Sequence, residues 1–142
     1  MTISKRPLLV WITFSIALLF GLMTIKSGGS VLFIDGEARL AAGNYVPFVL
    51  WFNFIAGFFY VITGIGIYLR KKWAERAAII ITALTLTVFA ALGFHILNGG
   101  EYEQRTVIAM CLRSFVWASI AFTIHRHRYD HMRYRNHTHH DE

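Results

Sequence analysis

Five ionisable residues lie close together in the sequence, between and inside two long apolar segments: His95, Glu101, Glu103, Arg105 and Arg113. An imidazole can donate or accept a proton near neutral pH, and a guanidinium is always charged and binds carboxylate, phosphate or carbonyl oxygens. Ionisable groups at membrane depth are costly to insert and commonly mark functional sites. The sequence therefore raises the question of what holds these groups in place and what they bind.

The composition is that of an integral membrane protein. Of the 142 residues, 56% are hydrophobic and only 15% are charged, whereas soluble domains are about one quarter charged. Four apolar segments, at about 8–25, 48–69, 77–97 and 107–124, approach the roughly 20 residues that cross a bilayer. Each must be helical, because hydrocarbon offers no partners to backbone polar groups. The sequence predicts an all-α integral membrane protein with four transmembrane helices in an up-down-up-down bundle.

Basic residues are concentrated before the first apolar segment, between residues 70 and 76, and after residue 125. Because Lys and Arg are enriched in cytoplasmic loops, both termini are predicted to be cytoplasmic, in a membrane of the bacterial inner-membrane type. Residues 1–125 are predicted to form the membrane domain, and residues 126–142 a basic, histidine-rich cytoplasmic tail. Membrane lipids, and not nucleic acid, are the expected partners of these basic residues.

The connection between the first two apolar segments is too long for a structureless loop and is predicted to contain a short interfacial helix. Asp35 can cap this helix, Glu37 falls in its first turn, and Gly43 suits its end. Pro47 fits the first turn of the second transmembrane helix. We interpret this connection as a lid on the outer face.

Small and polar residues recur along one face of the second apolar segment. Asn53, Gly57, Tyr60 and Gly64 are spaced by four and three residues, which places them on one side of a helix. Weaker stripes run along the first segment (Thr13, Ala17, Gly21, Thr24) and the fourth (Thr106, Arg113, Trp117, Ile120). Small residues let helices approach closely, and polar side chains form hydrogen bonds between them, so these faces are predicted to point inward.

The predicted topology brings polar groups from three helices to one depth. Asn53, His95 and Arg113 each lie roughly 3 to 9 Å from the outer end of their segment at 1.5 Å per residue. No acid occurs within the four predicted segments. Glu101 and Glu103 are the nearest acids to Arg113 in sequence, and Arg113 is predicted to form a hydrogen bond with one of them.

Two interpretations of this outer polar layer follow. It is either a structural ion pair that fixes the third connection to the fourth helix, or a ligand-binding site. The proposed ligand-binding residues are Asn53, Tyr60, His95, Glu101, Glu103, Arg105 and Arg113.

Metal ligands are weaker candidates. Imidazole and sulfur groups suit reduced copper, and the outer layer contains Met23, His95, Met110 and Cys111. In the tail, His127 and His131 are four residues apart and would share a helix face. Haem would require a His95–Met110 pair or two subunits that share one haem.

The sequence favours a protein that is not an enzyme, because no phosphate-binding loop, dinucleotide fingerprint, zinc-protease motif or nucleophile elbow occurs. The first hypothesis is a small multi-pass membrane protein that binds a small anionic or amphipathic ligand, a lipid or a partner subunit through the outer polar layer. A homo-oligomer or a subunit of a membrane complex is expected.

Two alternatives remain open. One is a membrane redox protein that binds haem or quinone, with His95 and Arg113 on the quinone oxygens and Tyr60 lining the pocket. The other is a copper-handling membrane protein that uses the sulfur and imidazole groups.

Overall fold

The structure is a computed structural model that describes the backbone of residues 8–34 and 36–137 and, in the second range, side chains as far as His127. Its helices are α1 (Leu8–Phe33), α2 (Glu37–Ala42), α3 (Pro47–Tyr68), α4 (Lys72–Leu97) and α5 (Gln104–His137). Helices α1, α3, α4 and α5 are each long and apolar enough to cross a membrane. The predicted all-α fold with four membrane-spanning helices is confirmed over this part of the chain.

Three of the four long helices, α1, α4 and α5, are longer than the apolar segments that predicted them. α1 continues beyond residue 25 to Phe33, and α5 continues through residue 125 to His137. α4 begins at Lys72, five residues before the predicted start, and therefore contains Glu75. The expectation that no acid lies within the spans is wrong for α4. A helix can continue where its side chains become polar, because its backbone hydrogen bonds are formed within the helix itself.

Helices α1 and α3 cross at glycines that allow close approach of the two backbones. A Cβ atom added to Gly21 would lie 2.6 Å from Val61 Cγ2 and 2.9 Å from the Gly57 carbonyl oxygen. A Cβ atom added to Gly57 would lie 2.8 Å from Ile25 Cγ1 and 3.1 Å from the Gly21 carbonyl oxygen. The predicted inward orientation of Gly57 is thus confirmed, and neither position has room for a side chain.

Contacts along the helices also give their relative directions. Gly28 faces Phe54 and Gly64 faces Ala17, so α1 and α3 run antiparallel. Helices α3 and α4 are antiparallel as well, because Phe48 stacks on His95 at one end and Gly66 packs against Trp73 at the other. We refer to the end that holds α2 and the α4–α5 connection as the α2 end, and to the opposite end as the termini end.

Two clusters of buried apolar side chains fill the bundle. The α2-end apolar cluster consists of Val46, Val49, Leu92 and Met110. The termini-end apolar cluster consists of Ala17, Ala56, Tyr60, Ile67, Ala74, Ala78, Ile81, Trp117, Ile120 and Ala121. Polar side chains of the candidate site lie where the two clusters meet.

A buried glutamate connects α4 to α5 at the termini end. His125 Nδ1 lies 2.9 Å from Glu75 Oε1, and the Glu75 residue is only 8% exposed. Glu75 lies just before the third predicted apolar segment, and His125 lies just after the fourth. Because these two segments are antiparallel neighbours, the two residues lie side by side at the same end of the bundle. His127 is exposed, and the His131 side chain lies outside the described residues, so the predicted tail metal pair stays a prediction.

Candidate ligand-binding site around Arg113

Arg113 lies in the interior of the bundle. It follows the first residue of α5, Gln104, by nine positions, which corresponds to roughly 13 Å along the helix. Arg113 is only 8% exposed and shares the inward face of α5 with Met110, Trp117 and Ile120. The spacing of three, four and three residues is that of one helix face, so the periodicity of α5 itself directs the guanidinium into the bundle.

The hydrogen-bond acceptors of Arg113 are all electrically neutral. Its Nη2 donates to Thr24 Oγ1 at 3.2 Å, and its Nη1 contacts Met110 Sδ at 3.7 Å. Its Nε makes no hydrogen bond. Thioether sulfur is a weak acceptor, so the positive charge is poorly compensated within the described chain.

The predicted pairing of Arg113 with Glu101 or Glu103 is wrong. Among the described side chains, no carboxylate lies within ion-pair distance of the guanidinium, and its hydrogen bonds go to α1 and to its own helix. Sequence proximity is a poor guide here. The arginine side chain reaches only Met110, one turn back along α5, and Thr24 on α1, whereas Glu103 accepts a hydrogen bond from the Asn44 backbone N–H.

Four further buried donor groups in the described part of the chain make no hydrogen bond: Tyr60 Oη, Thr85 Oγ1, Ser114 Oγ and Trp117 Nε1. They come from α3, α4 and α5, and all can donate a hydrogen bond. An unpaired buried donor costs about 1–3 kcal/mol. Within the described chain, the bundle interior therefore holds several hydrogen-bonding groups that have no partner. We call Arg113 and these four residues the Arg113 cluster.

Tyr60 is at the centre of this cluster. Its ring centroid lies 4.7 Å from that of Trp117, and its hydroxyl is close enough to Arg113 and Thr85 for electrostatic interaction with both. The Tyr60 and Thr85 hydroxyls nevertheless lack the geometry of a hydrogen bond. Tyr60 is fully buried, so the predicted inward direction of this residue is confirmed.

Asn53 lies two helical turns before Tyr60 on the same side of α3, at a distance of roughly 10 Å along the helix. The residue is half-buried, and its Oδ1 atom is buried without a hydrogen-bond partner. Asn53 therefore adds an unpaired acceptor between the Arg113 cluster and the α2 end.

Glu103 and Arg105 connect the two loops at the α2 end. Glu103 Oε1 accepts a hydrogen bond from the Asn44 backbone N–H at 2.9 Å, and Arg105 Nη2 donates to the Ala41 carbonyl oxygen at 2.7 Å. Gly43 lies against the Glu103 carboxylate and has a φ of 61°, a conformation that favours glycine. We call these two hydrogen bonds and Gly43 the α2-end clamp.

The connection between α1 and α3 contains helix α2 (Glu37–Ala42), and Gly43 is its C-cap residue. Asp35, which was predicted to cap it, lies outside the described residues.

His95 and Glu101 also belong to the α2 end. The His95 Nε2 atom lies 3.1 Å from the Glu101 carbonyl oxygen, and the ring stacks edge-on against Phe48. Glu101 is exposed. Of the seven predicted ligand-binding residues, the structure brings Tyr60 and Arg113 together, places Asn53 nearby, and separates the remaining four.

The predicted sulfur and imidazole ligands do not converge. Met23 is 62% exposed and Cys111 is exposed, whereas Met110 is buried beside Arg113. His95 faces the α4–α5 connection. Within the described part of the chain, no three His, Cys, Asp or Glu residues are grouped in a way that could hold a metal ion.

Sequence reasoning missed Thr85 and Ser114 as cluster members and did not assign a role to Thr24 or Trp117 beyond helix packing. Ser114 directly follows Arg113, and Thr85 lies on the buried face of α4 with Ala78, Ile81 and Leu92. A polar residue within an otherwise apolar buried face was the available signal.

These features define a small multi-pass integral membrane protein whose helices enclose a cationic cluster of unpaired hydrogen-bond donors. The chain matches no protein-family model, no curated protein and no solved structure.

Proposed function

We propose that this protein binds a small anionic or amphipathic ligand inside the helix bundle, with Arg113 as the anchoring residue. The observation that carries the proposal is that a guanidinium with 8% exposure has only neutral hydrogen-bond acceptors. A buried cation without a counter-charge is costly, and a bound oxyanion would supply that charge.

The donors around Arg113 support the same proposal. An oxyanion has several lone pairs. It could accept from Arg113 Nε together with the hydroxyls of Tyr60, Thr85 or Ser114, which make no hydrogen bond to the described residues. Charge-assisted hydrogen bonds are about twice as strong as neutral ones. A ligand that forms hydrogen bonds with several of these groups would offset the free-energy cost of burying them without partners.

The proposal is tested by thermal unfolding of the protein in a mild, uncharged detergent with a panel of carboxylates, phosphates and sulfates, some with alkyl chains and some without. At least one anion is expected to raise the melting temperature of the wild type and to leave Arg113→Gln unaffected. Glutamine keeps much of the side-chain volume and removes the charge. Equal shifts in both proteins, or no shift with any anion, would contradict the proposal.

A quinone is a second candidate ligand. The Tyr60 and Trp117 rings, with centroids 4.7 Å apart, lie in the Arg113 cluster, and flat rings beside hydrogen-bond donors suit a quinone ring and its carbonyl oxygens. His95 is engaged at the α2 end, so this version relies on Arg113 and Tyr60. The arrangement of His95 and Met110 described above gives no support to a haem or copper site.

We further propose that the α2 end faces outward and that both termini face the cytoplasm of a bacterial-type cell. The basis is the distribution of Lys and Arg, which is densest at the termini end. Lipids are the proposed surroundings of the exposed apolar faces, with a second copy or another membrane subunit as a further partner.

Cysteine labelling tests this orientation. Cys111 is the only cysteine and is exposed, so single cysteines are introduced in a Cys111→Ser background. In intact cells, a membrane-impermeant maleimide is expected to label a cysteine at Asn98 and not one at Lys72. If only Lys72→Cys is labelled, the orientation in the membrane is opposite to the one proposed.

A further inference from the structure

The α2 end of the bundle is closed to a ligand that arrives along the bundle axis. The α2-end clamp joins the two loops through the bonds of Glu103 and Arg105. Beneath it, the α2-end apolar cluster is almost fully buried, with Val49 at 1% exposure and Leu92 and Met110 at 0%. Met110 also contacts Arg113 directly, so this apolar layer lies immediately above the guanidinium.

The termini end is closed in a similar way. Trp117, Ile120 and Ala121 lie along α5 below Arg113, and their exposures are 0%, 5% and 8%. They pack with Ile67 and Ala78 in the termini-end apolar cluster. A charged ligand moving along the axis from this end would cross a close-packed apolar layer.

The pairs of neighbouring helices are not equally tight. α1 packs closely along α3, α3 packs on α4, and α4 packs on α5. In the described chain, α1 and α5 lack comparable packing between their backbones, although the Arg113 side chain spans the gap to Thr24 with a 3.2 Å hydrogen bond. The boundary between α1 and α5, which we call the α1–α5 seam, is therefore held by side chains, and one of them is the proposed ligand anchor.

The charge of the cluster limits the charge of its ligand. Arg113 contributes one positive charge, and its neighbours Tyr60, Thr85, Ser114 and Trp117 are neutral donors. The buried acid on α4, Glu75, precedes Thr85 by ten residues, roughly 15 Å along the helix, and is engaged by His125. A singly charged ligand balances the guanidinium, whereas a doubly charged one would leave excess negative charge in an apolar interior.

We propose, on the basis of the proposed function, that the ligand is a singly charged carboxylate with an apolar tail that enters from the hydrocarbon through the α1–α5 seam. The carboxylate accepts a hydrogen bond from Arg113 Nε. It also replaces Met110 Sδ, a weak acceptor, as the partner of Arg113 Nη1. The tail remains between the apolar surfaces of α1 and α5. A short carboxylate dissolved in water has no open route along the bundle axis, and it has no apolar tail that could contact α1 and α5.

The test uses quenching of Trp117 fluorescence by a terminally brominated undecanoate in nanodiscs of phosphatidylcholine, a lipid with no net charge. The other three tryptophans are replaced by phenylalanine; they are exposed (Trp11 46%, Trp51 46%, Trp73 45%), whereas Trp117 is fully buried. The brominated acid is expected to quench Trp117 saturably, and dodecanoate to reverse the quenching. Arg113→Gln is expected to lower the affinity roughly tenfold or more, because a charge-assisted bond is lost.

Three comparisons separate the possible outcomes. The matching brominated alcohol should quench much less; equal quenching would show that the head-group charge is not recognised and would overturn the inference. Acetate should fail to displace the brominated acid. If acetate displaces it as effectively as dodecanoate does, the ligand needs no apolar tail; this inference would then be wrong, whereas the proposed function would not be contradicted. Identical quenching of the wild type and Arg113→Gln, together with the absence of any Arg113-dependent melting shift, would remove both proposals.

The route is tested separately with Gly43→Ala. A Cβ atom at this position would meet the Glu103 carboxylate, and alanine disfavours the local positive φ, so the substitution loosens the α2-end clamp without touching the Arg113 cluster. The association rate of the brominated acid is expected to stay unchanged. A several-fold faster association would show that the ligand enters at the α2 end and would overturn the seam as the route.

Discussion

Replacing Arg113 with leucine is expected to stabilise the folded bundle and to abolish ligand binding. The guanidinium is 8% exposed and has no carboxylate partner among the described side chains. Placing an arginine at the centre of a membrane span costs about 2.5–3.5 kcal/mol, and leucine removes that cost while leaving a smaller packing defect. A net gain of about 2 kcal/mol in the free energy of unfolding is expected, measured by reversible unfolding in mixed micelles with increasing denaturing detergent.

Arg113→Lys is the matched control for this prediction. Lysine keeps the charge but has neither the Nε donor nor the planar guanidinium, so it should weaken ligand binding without the gain in stability. If Arg113→Leu instead lowers the free energy of unfolding, the residue is a structural lock and not a ligand anchor. The sequence left these two roles open, and the sign of this single measurement distinguishes them.

Replacing Gly57 with alanine is expected to destabilise the bundle by roughly 2 kcal/mol, because overpacking a tight interface forces its backbones apart. The added Cβ atom would lie 2.8 Å from Ile25 Cγ1 and 3.1 Å from the Gly21 carbonyl oxygen. Movement of α1 away from α3 would also shift Thr24, the acceptor of Arg113 Nη2. The same unfolding experiment measures the effect.

Gly93 provides a control with the same substitution. It lies within α4, and an added Cβ atom would meet no atom of another helix within 4 Å among the described residues. Alanine is a better helix former than glycine, so Gly93→Ala should be neutral or stabilising by up to about 1 kcal/mol. Equal destabilisation by both substitutions would show that the Gly57 effect does not come from the α1–α3 contact.

The helices and the inward face of α3 could be predicted because both depend on local pattern. The length of an apolar run indicates whether a helix can span a membrane. The spacing of small and polar residues along it indicates which face points inward. Gly57, Tyr60 and Gly64 are all buried in the structure as this reasoning requires.

The partner of Arg113 could not be predicted in the same way. It depends on the rotation and relative height of two helices whose contacting residues, Thr24 and Arg113, are 89 positions apart. The acids closest in sequence have another role, since Glu103 accepts from a loop backbone N–H group and Glu101 lies on the surface. Glu103 is thus engaged by the loop that follows α2 and not by the guanidinium.

The hydrogen bond between Arg113 and Thr24 joins the last long helix to the first, and this has a consequence for biosynthesis. α1 emerges from the ribosome first and α5 last, so the acceptor is already in the bilayer when the arginine leaves the translocon. α1 and α3 can pair through Gly21 and Gly57 before α5 exists, which gives the incoming arginine a polar neighbour at the moment of its insertion. The first three long helices thus act as a template within the nascent chain, onto which α5 docks with Arg113 against Thr24.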